Sequence, residues 1–313
     1  MQFKRYINVH EFYKDAYDVL MRHEAQNIIP LGNLLIGHAG TDKTGWRDPE
    51  NWLMATVTKG DEVLLVAIMT PPHNLTLYAA DNKMDIAAID CLISGVKEFH
   101  IPGVMTQKEL ATYFAEAYAQ SKNTSYEIAM EQRIYELTEL NPSMKKESFY
   151  SLLSQKPADE LHLPPSLRLL EERDMSFFPY WLEGFHAGLE AFNEAQRADD
   201  TSMKIPLNDE EHYSYHISKK NMYVLEDGGV PVSMAGLARK VQTVCALNYV
   251  YTPPYYRGCG YATSLVAGIS QIALNSGFKS CALYTDLSNP TANSIYQKIG
   301  YKPICDSLLI KFT

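Results

Sequence analysis

A glycine-rich turn near the end of the sequence has residue types that suit the binding of an anion. Residues 257–262 read RGCGYA, follow the double proline Pro253-Pro254, and lead directly into a helical pattern. Glycines lack a Cβ atom, so backbone N–H groups can crowd together where a helix N-terminus leaves further donors without partners. The stretch therefore predicts an anion site, and its alternative is a turn without a ligand.

Other phosphate-binding turns do not fit the same residues. A P-loop requires Gly-Lys-Ser or Gly-Lys-Thr after its turn, whereas Gly260 is followed by Tyr-Ala-Thr. The dinucleotide fingerprint requires a third glycine near Thr263, and the sequence has none there. These two kinds of nucleotide site are therefore not indicated.

The elements around the turn predict an α/β sheet. From residue 167 onwards the hydrophobic spacing alternates between strand and helix periods. The pattern predicts a strand at 167–173, a helix at 177–192, a second helix capped by Asn208, a hairpin of 221–226 and 230–238, a strand at 243–251, a helix at 262–276, a strand at 280–285, a helix at 290–299, and a strand at 305–312 that closes the sheet.

The first half repeats this order of elements with almost no matching residues. A helix at 15–25, ended by residues 28–31, precedes a hairpin of 52–58 and 63–70 and a strand at 74–80. Helices at 85–98 and 107–120 and an extended segment at 126–140 follow, with a short crossover between the helices. Internal duplication explains the repeat, and an unrelated α/β domain is the alternative. The first half has no glycine-rich turn.

A stretch rich in proline and charge separates the halves. Residues 141–166 contain four prolines and weak periodicity, which is typical of a linker. We therefore expect a first domain at 1–140, a linker at 141–166 and a second domain at 167–313.

Composition excludes several classes of protein. The 28 basic residues against 37 acidic ones give a formal charge of −9, which argues against a nucleic-acid surface. The five dispersed cysteines form no Cys-x-x-Cys pair, so neither a disulfide framework nor a metal site is indicated. The N-terminus has no apolar signal region and no apolar run approaches a membrane span. We expect a cytoplasmic protein without a membrane partner, either a monomer or a homodimer.

Two motifs in the second half resemble those of one enzyme family. Residues 257–262 fit the Arg/Gln-x-x-Gly-x-Gly/Ala signature of the GNAT acetyltransferases, and residues 289–301 (NPTANSIYQKIGY) resemble that family's second cofactor motif. The plan of the chain is similar to tandem GNAT proteins in which one copy has lost its cofactor loop. The resemblance covers the end of the chain well and the first half weakly.

The resemblance implies a fold and a set of cofactor contacts. It implies two GNAT-like domains, each a mixed, mostly antiparallel twisted sheet flanked by helices. In the second domain a splayed pair of parallel strands would bind acetyl-CoA, and proline at 253 and 254 would help to open the sheet because it removes N–H donors. The implied cofactor-binding residues are Val250, Tyr251, Thr252, Arg257, Gly258, Cys259, Gly260, Tyr261, Ala262, Asn289, Asn293 and Tyr296.

The resemblance also implies catalytic roles, each with an alternative. Tyr296 stands where the family places the general acid that protonates the leaving sulfur, and its alternative is an aromatic core residue. Asn289 and Asn293 are candidate cofactor contacts, although Asn-Pro is also an ordinary start of a helix. Arg257 either orients the turn and contacts phosphate or is a surface arginine. Cys259 occupies a variable position of the motif and has no nearby histidine to activate it.

A general base is not visible on the central strand. Residues 243–249 contain no carboxylate, so water, Asn248 or an acid of the 183–209 region would have to remove the proton of the amine. The leading hypothesis is an acetyl-CoA-dependent N-acetyltransferase that acts on a small-molecule amine. The alternatives are an acetyl-CoA sensor without transfer activity and an interaction scaffold.

Acidic residues gather in the segment expected to border the acceptor. They mildly favour a cationic amine, and a solvated acidic surface is the alternative. The residues are Glu183, Glu190, Glu194, Asp199, Asp200, Asp209, Glu210 and Glu211.

Overall fold

A computed structural model of the chain describes residues 1–40, 47–144, 165–191 and 209–313. These residues divide into two compact units. The first unit contains Met1–Ile134 and Pro303–Thr313, and the second contains Tyr135–Lys302. Both combine strands and helices around their own apolar clusters, which confirms the predicted mixed α/β class.

The first unit is a mostly antiparallel sheet with helices beside it. Its elements are β1 (Gln2–Tyr6), α1 (Val9–Met21), α2 (Ile28–Ala39), β2 (Leu53–Lys59), β3 (Glu62–Met69), β4 (Leu75–Ala79), α3 (Ile86–Gly95), β5 (Gly103–Gln107), α4 (Lys108–Lys122), the larger part of β6 (Tyr126–Leu137) and nearly all of β12 (Lys302–Phe312). The strands lie in the order β1-β2-β3-β4-β5-β12-β6. The β4 and β5 strands are parallel neighbours.

The second unit contains the predicted glycine-rich turn. Its elements are the last residues of β6, β7 (Ser166–Leu169), α5 (Phe178–Ala191), α6 (Glu210–Ser218), β8 (Met222–Asp227), β9 (Val230–Lys240), β10 (Val244–Tyr251), α7 (Tyr261–Asn275), β11 (Ser280–Asp286) and α8 (Pro290–Ile299). The strand order is β6-β11-β10-β9-β8-β7. Three hairpin strands, a helix, a strand and a helix therefore follow one another in both units, and the sequence predicted this order except for β5.

Side chains of the second unit alternate between two covered faces of its sheet. Cys245, Leu247 and Leu283 pack in the apolar cluster that contains the buried residues of α7. Met234 and Tyr251 point the other way and join the cluster that contains Phe178 and Leu182 of α5. We call these the α7 face and the α5 face.

The last strand of the chain belongs to the first unit, so the prediction that it closes the second sheet was wrong. Residues 307–311 of β12 pair antiparallel with 103–107 of β5, a strand that the sequence pattern presented as a crossover. Leu308 and Ile310 are buried in the core of the first unit. An alternating apolar pattern shows that a strand has a buried face, and it does not show which strand is its neighbour.

The unit boundary consequently differs from the predicted one. The first unit ends at Ile134 and resumes at Pro303, whereas the sequence suggested domains at 1–140 and 167–313. Most of the predicted linker, residues 145–164, lies outside the described residues, and so does Asn208, the predicted cap of α6.

Helix α2 was not predicted, because Pro30 was taken as the end of a helix. Pro30 occupies the third position of α2, where the backbone N–H has no intrahelical acceptor and its loss costs little. The helix ends at Gly40, whose φ of 61° is the left-handed cap that glycine adopts readily.

A buried ion-pair network anchors the start of the second unit. Arg168 on β7 donates to both carboxylate oxygens of Asp174, at 2.6 and 2.8 Å, and twice to Glu226 of β8, at 2.6 and 2.8 Å. Its remaining donor reaches the Leu169 carbonyl at 3.0 Å. All five N–H groups of the guanidinium are thereby satisfied. The side chains of Arg168 and Asp174 are 15% and 2% exposed.

Replacing Arg168 with methionine should strongly destabilise the second unit. The substitution leaves two carboxylates without their cation, one of them fully buried, and such losses cost about 3–5 kcal/mol. The exposed Lys108–Glu131 pair provides the control, because its side chains are 49% and 47% exposed. Lys108→Met should change the free energy of unfolding in urea by less than about 1 kcal/mol. Equal effects of the two substitutions would contradict this interpretation of the network.

Candidate active site

Strands β10 and β11 diverge in the middle of the second sheet. They pair in parallel only at Val244–Ser280, Cys245–Cys281 and Ala246–Ala282, although β10 continues to Tyr251 and β11 to Asp286. Beyond Ala246 the backbone edges of the two strands are no longer bonded to each other. The predicted splayed pair of parallel strands is therefore present.

The divergence coincides with a bulge in β10. Pairing with β9 shifts register between Ala246 and Leu247, and again between Asn248 and Tyr251. Tyr249 has a φ of +55°, which is unusual for a residue with a side chain, and the side-chain oxygen of Asn248 accepts a hydrogen bond from its N–H at 2.8 Å. We predicted that Pro253 and Pro254 help to open the sheet, but pairing with β11 ends before them. The bulge is the feature that coincides with the opening.

The glycine-rich turn carries β10 into α7 and leaves the start of the helix open. Gly258 and Gly260 have φ values of +78° and +82°, and a Cβ built on either would meet no atom within 4 Å. The first backbone hydrogen bond of α7 runs from the Ser264 N–H to the Gly260 carbonyl at 3.0 Å. The preceding N–H groups have no acceptor in the helix, and its first turn contains no acidic residue. The geometry suits a phosphate at the positive end of the helix.

Arg257 braces this turn. Its Nε donates to the Thr252 carbonyl at 3.0 Å across the turn, while the side chain is exposed. Cys259 is also exposed. Arg257 thus has a contact across the turn, and its contact with phosphate stays a prediction.

Tyr261 anchors the first turn of α7 to the core. Its ring is buried and its hydroxyl donates to the Asp227 carboxylate in the β8–β9 hairpin. Burial and this hydrogen bond raise the pKa of the phenol. The side chain of Tyr261 therefore belongs to the core, and the predicted cofactor contact of Tyr261 and Ala262 concerns their backbone at the helix start.

The end of β10 is held by β9 and by α5. Ser233 is fully buried, and its hydroxyl contacts the Tyr251 carbonyl at 3.0 Å and the Thr252 hydroxyl at 2.8 Å. A Cβ on Gly184 would lie 2.4 Å from the Tyr251 hydroxyl, so only glycine leaves room for that ring. Val250 is partly buried. These contacts fix the backbone of residues 250–252 beside the opening.

Asn289 and Asn293 hold the loop between β11 and α8. Asn289 is the N-cap of α8, and its side-chain oxygen accepts from the Ala292 N–H at 3.0 Å. Asn293 donates to the carbonyls of Asp286 and Asn289 at 2.8 and 2.7 Å and accepts from Tyr135 at 3.1 Å. Both asparagines thus have the helix-start role that was the alternative to cofactor binding.

Tyr296 faces inward from α8. It is 8% exposed, and its ring lies near those of Tyr135 and Tyr301, with centroids 6.2 and 6.0 Å away. Burial raises the pKa of its phenol to about 12. The group therefore keeps its proton at neutral pH and has the protonation state that an acid requires.

Two charged residues of the second sheet were not singled out in the sequence. Arg239 on β9 stands in register with Ala246, and Glu136 on β6 accepts a hydrogen bond of 2.6 Å from Ser280 at the start of β11. A charged residue that alternates with apolar ones in a strand is the signal that could have drawn attention to Arg239.

The first unit treats the corresponding helix start differently. The helix after its third hairpin strand, α3, is capped by Asp85, whose carboxylate accepts from the Ala88 N–H at 3.0 Å. The preceding loop is occupied by its own contacts, because Asp81 pairs with Arg22 at 3.0 Å and Asn82 bonds to Gln26. A carboxylate already lies where an anion would bind.

Comparison with known families gives a match within the second unit. The model of the acetyltransferase (GNAT) family matches residues 186–301. This segment is therefore similar to a GNAT acetyltransferase domain. No curated protein sequence matches the chain.

Solved structures similar to the whole chain include several GNAT proteins. A GNAT-family acetyltransferase from Colwellia psychrerythraea has 10% identity and a TM-score of 0.54, with coverage of 100% of this chain and 99% of its own. A GCN5-related N-acetyltransferase from Sphaerobacter thermophilus has 13% identity, a TM-score of 0.54, and coverage of 99% and 95%.

A tandem GNAT protein from the clavulanic acid biosynthesis pathway is similar over 100% of this chain and 98% of its own length. Its identity is 9% and its TM-score is 0.52. At these identities the likeness concerns the fold. It is consistent with two GNAT-like units, as the sequence predicted.

Two further points concern a membrane span and a metal site. Across the described ranges, no helix has both the length and the apolar composition for a membrane span. Within the same ranges, no group of three or more His, Cys, Asp and Glu side chains is arranged to hold a metal ion.

Proposed function

We propose that this protein is an acetyl-CoA-dependent N-acetyltransferase that acetylates a primary amine of a small molecule. The observation that carries the proposal is the open start of α7, placed directly after the strand that diverges from β11. The N–H groups of residues 258–262 bind the pyrophosphate, and the edge of β10 at residues 250–252 binds the pantetheine arm. Acetyl-CoA fits this arrangement because it combines an anionic group with a long polar arm.

Acetyl transfer requires the protein to position the two reactants and to supply one proton to the leaving sulfur. Acetyl-CoA supplies a thioester, so attack by the neutral amine forms the C–N bond and breaks the C–S bond. Tyr296 holds the proton that the departing sulfur takes up, and the amine loses its own proton to solvent or to a neighbouring group. Residues 243–249 contribute no carboxylate to that second transfer.

The first unit is proposed as a copy that does not bind acetyl-CoA. The Asp85 cap supports this, since it puts a carboxylate at the equivalent helix start, and the Asp81–Arg22 pair occupies the loop before it. The negative charge of Asp85 at the helix N-terminus would repel a pyrophosphate. The unit then serves as structure or as cover for the substrate.

Calorimetric titration with acetyl-CoA tests the proposal first. One binding site per chain is expected, and thiol release should follow when a suitable amine from a library is added. Binding with no thiol release by any amine would favour the alternative of an acetyl-CoA sensor. Absence of binding would overturn the proposal.

Gly260→Ala should weaken the binding of acetyl-CoA by about tenfold or more. A residue with Cβ disfavours the left-handed conformation by about 1–2 kcal/mol, so the turn will shift and its N–H groups will lose their common direction. The measurement is the calorimetric Kd.

Gly277 provides a matched control, because it follows the other end of α7, has a φ of +99°, and also has open space around a built Cβ. Gly277→Ala should cost similar stability and leave the Kd unchanged. The same Kd for both variants would contradict the assignment of the turn.

Tyr296→Phe should lower kcat by about 10- to 100-fold, the range for loss of a general acid, while the Kd of acetyl-CoA stays nearly constant. Tyr301→Phe is the control, since it removes the hydroxyl of a neighbouring buried tyrosine that bonds to Ser270 at 2.8 Å. It should reduce stability by about 1 kcal/mol without lowering kcat. Equal kcat values for the two variants would remove Tyr296 from the acid role.

The raised pKa of Tyr296 predicts the shape of the alkaline pH profile. A phenol donates its proton only below its pKa, and here that value is about 12 instead of the ordinary 10. The proton-donating form is therefore complete at pH 9–10 and disappears only as the pH passes 12. We expect kcat to show no decline between pH 8 and about 10.5; a decline with a midpoint near 10, absent from Tyr296→Phe, would contradict the burial of the acid.

A further inference from the structure

Arg239 stands beside the opening between β10 and β11. It pairs in register with Ala246, and Ala246 pairs in turn with Ala282, the last bonded pair before the two strands diverge. Residues opposite one another in a sheet share a face. The three side chains therefore form one row across β9, β10 and β11.

This row lies on the α5 face. Cys245 and Leu247 belong to the α7 face, and successive side chains of a strand point to opposite sides, so Ala246 points away from α7. Ala282 is placed in the same way between Cys281 and Leu283. Both alanines are short, and the guanidinium of Arg239 extends from a row whose other members end in a methyl group.

The surroundings of Arg239 contain no compensating carboxylate among the described residues. No ion pair joins it to any Asp or Glu there, and the titratable side chains that act on it are Tyr249 and Tyr284. Burial, the largest effect, lowers the pKa of its guanidinium. Two other semi-buried arginines differ, because Arg168 binds two carboxylates and Arg133 binds Asp306 at 2.6 and 2.8 Å.

Among the described residues this partly buried guanidinium has no carboxylate partner, and such an arrangement is costly unless a ligand supplies the anion. Its planar donors match carboxylate and phosphate oxygens in pairs. Tyr249 is also the residue that forms the bulge in β10, so the guanidinium and the point of divergence share a neighbour. An anion bound here would lie at the side of the proposed acyl-transfer site, away from the α7 helix start.

We infer that Arg239 binds an anionic oxygen group of the acceptor, so that the acceptors are amines that also carry a carboxylate or a phosphate. The inference rests on the proposed acetyl transfer and names the substrate class of that site. The acidic residues 183–211 favoured a cationic amine, and the two features together describe an acceptor with both charges.

The test compares matched pairs of amines in the acetyl-transfer assay. One arm uses amino acids against their amides, and the other uses aminoalkyl phosphates against the corresponding amino alcohols. For wild type, kcat/KM should favour the anionic member of one arm by about 10- to 100-fold, as a charged hydrogen-bonded pair provides. The arm that shows the preference identifies carboxylate or phosphate.

Arg239→Met removes the guanidinium and keeps much of the side-chain volume. Its preference for the anionic member should fall to about onefold because kcat/KM for that member falls, while the Kd of acetyl-CoA stays unchanged. Lys240→Met is the control, since Lys240 is the exposed neighbour on the same strand with its side chain on the opposite face. It should keep the preference of wild type.

Equal kcat/KM values within every pair for wild type, or an equal loss of preference in the two variants, would overturn the inference and leave acetyl transfer intact. If no amine in the panel is acetylated, calorimetric titration with acetate and with inorganic phosphate decides. Saturable binding that Arg239→Met abolishes and Lys240→Met retains supports the inference, and any other result overturns it. Failure to bind acetyl-CoA would overturn the proposed function and this inference with it.

Discussion

The first turn of an α-helix has N–H groups that no residue of the helix can satisfy, and each unit of this protein meets that requirement differently. In the first unit Asp85 covers the start of α3 with its own carboxylate. In the second unit Gly260 begins α7 without any side chain, and no acidic residue follows in the first turn. The same element therefore carries a carboxylate cap in one unit and no capping side chain in the other.

Other features of the second unit depend on keeping this helix start in place. Tyr261 is buried beneath it and bonded to Asp227, Arg257 ties the turn to Thr252, and Ser233 fixes the end of β10. The bulge at Tyr249 coincides with the divergence of β10 from β11. Position is thus set by ordinary side-chain contacts, and residues 257–260 of the turn are exposed. Electrostatic stabilisation of this kind works best when the donors are held before the ligand arrives.

Local features of the fold could be predicted from the sequence, because their causes are local. The hairpin turn before Val230, the glycine turn before α7 and the Asn-Pro start of α8 each arise from a few adjacent residues with restricted backbone angles. The pairing of β12 with β5 could not be predicted, since it joins residues about two hundred positions apart and depends on which core buries Leu308 and Ile310. Pro30 led to the wrong prediction that a helix ends there, because the effect of a proline depends on its position within a helix.

The candidate site shows the same division. The residue types at 257–262 and 289–301 predicted where the candidate site lies. The contacts in the structure show which groups each of these side chains bonds to. Asn293 bonds to two carbonyls and a tyrosine that are distant in sequence or in the loop, and Arg239 reaches the opening only through strand register. Periodicity predicts that a side chain is on one face of a strand, but the residues that flank it come from other strands.

We propose that acetyl-CoA binds at the start of α7 and not at the start of α3. Hydrogen–deuterium exchange with and without acetyl-CoA measures both places in one protein, because binding slows exchange of the amides that it covers. Binding at the start of α7 predicts slower exchange in peptides that span residues 250–264 and unchanged exchange in peptides that span residues 79–90. Protection at 79–90, or none at 250–264 under saturating acetyl-CoA, would contradict it.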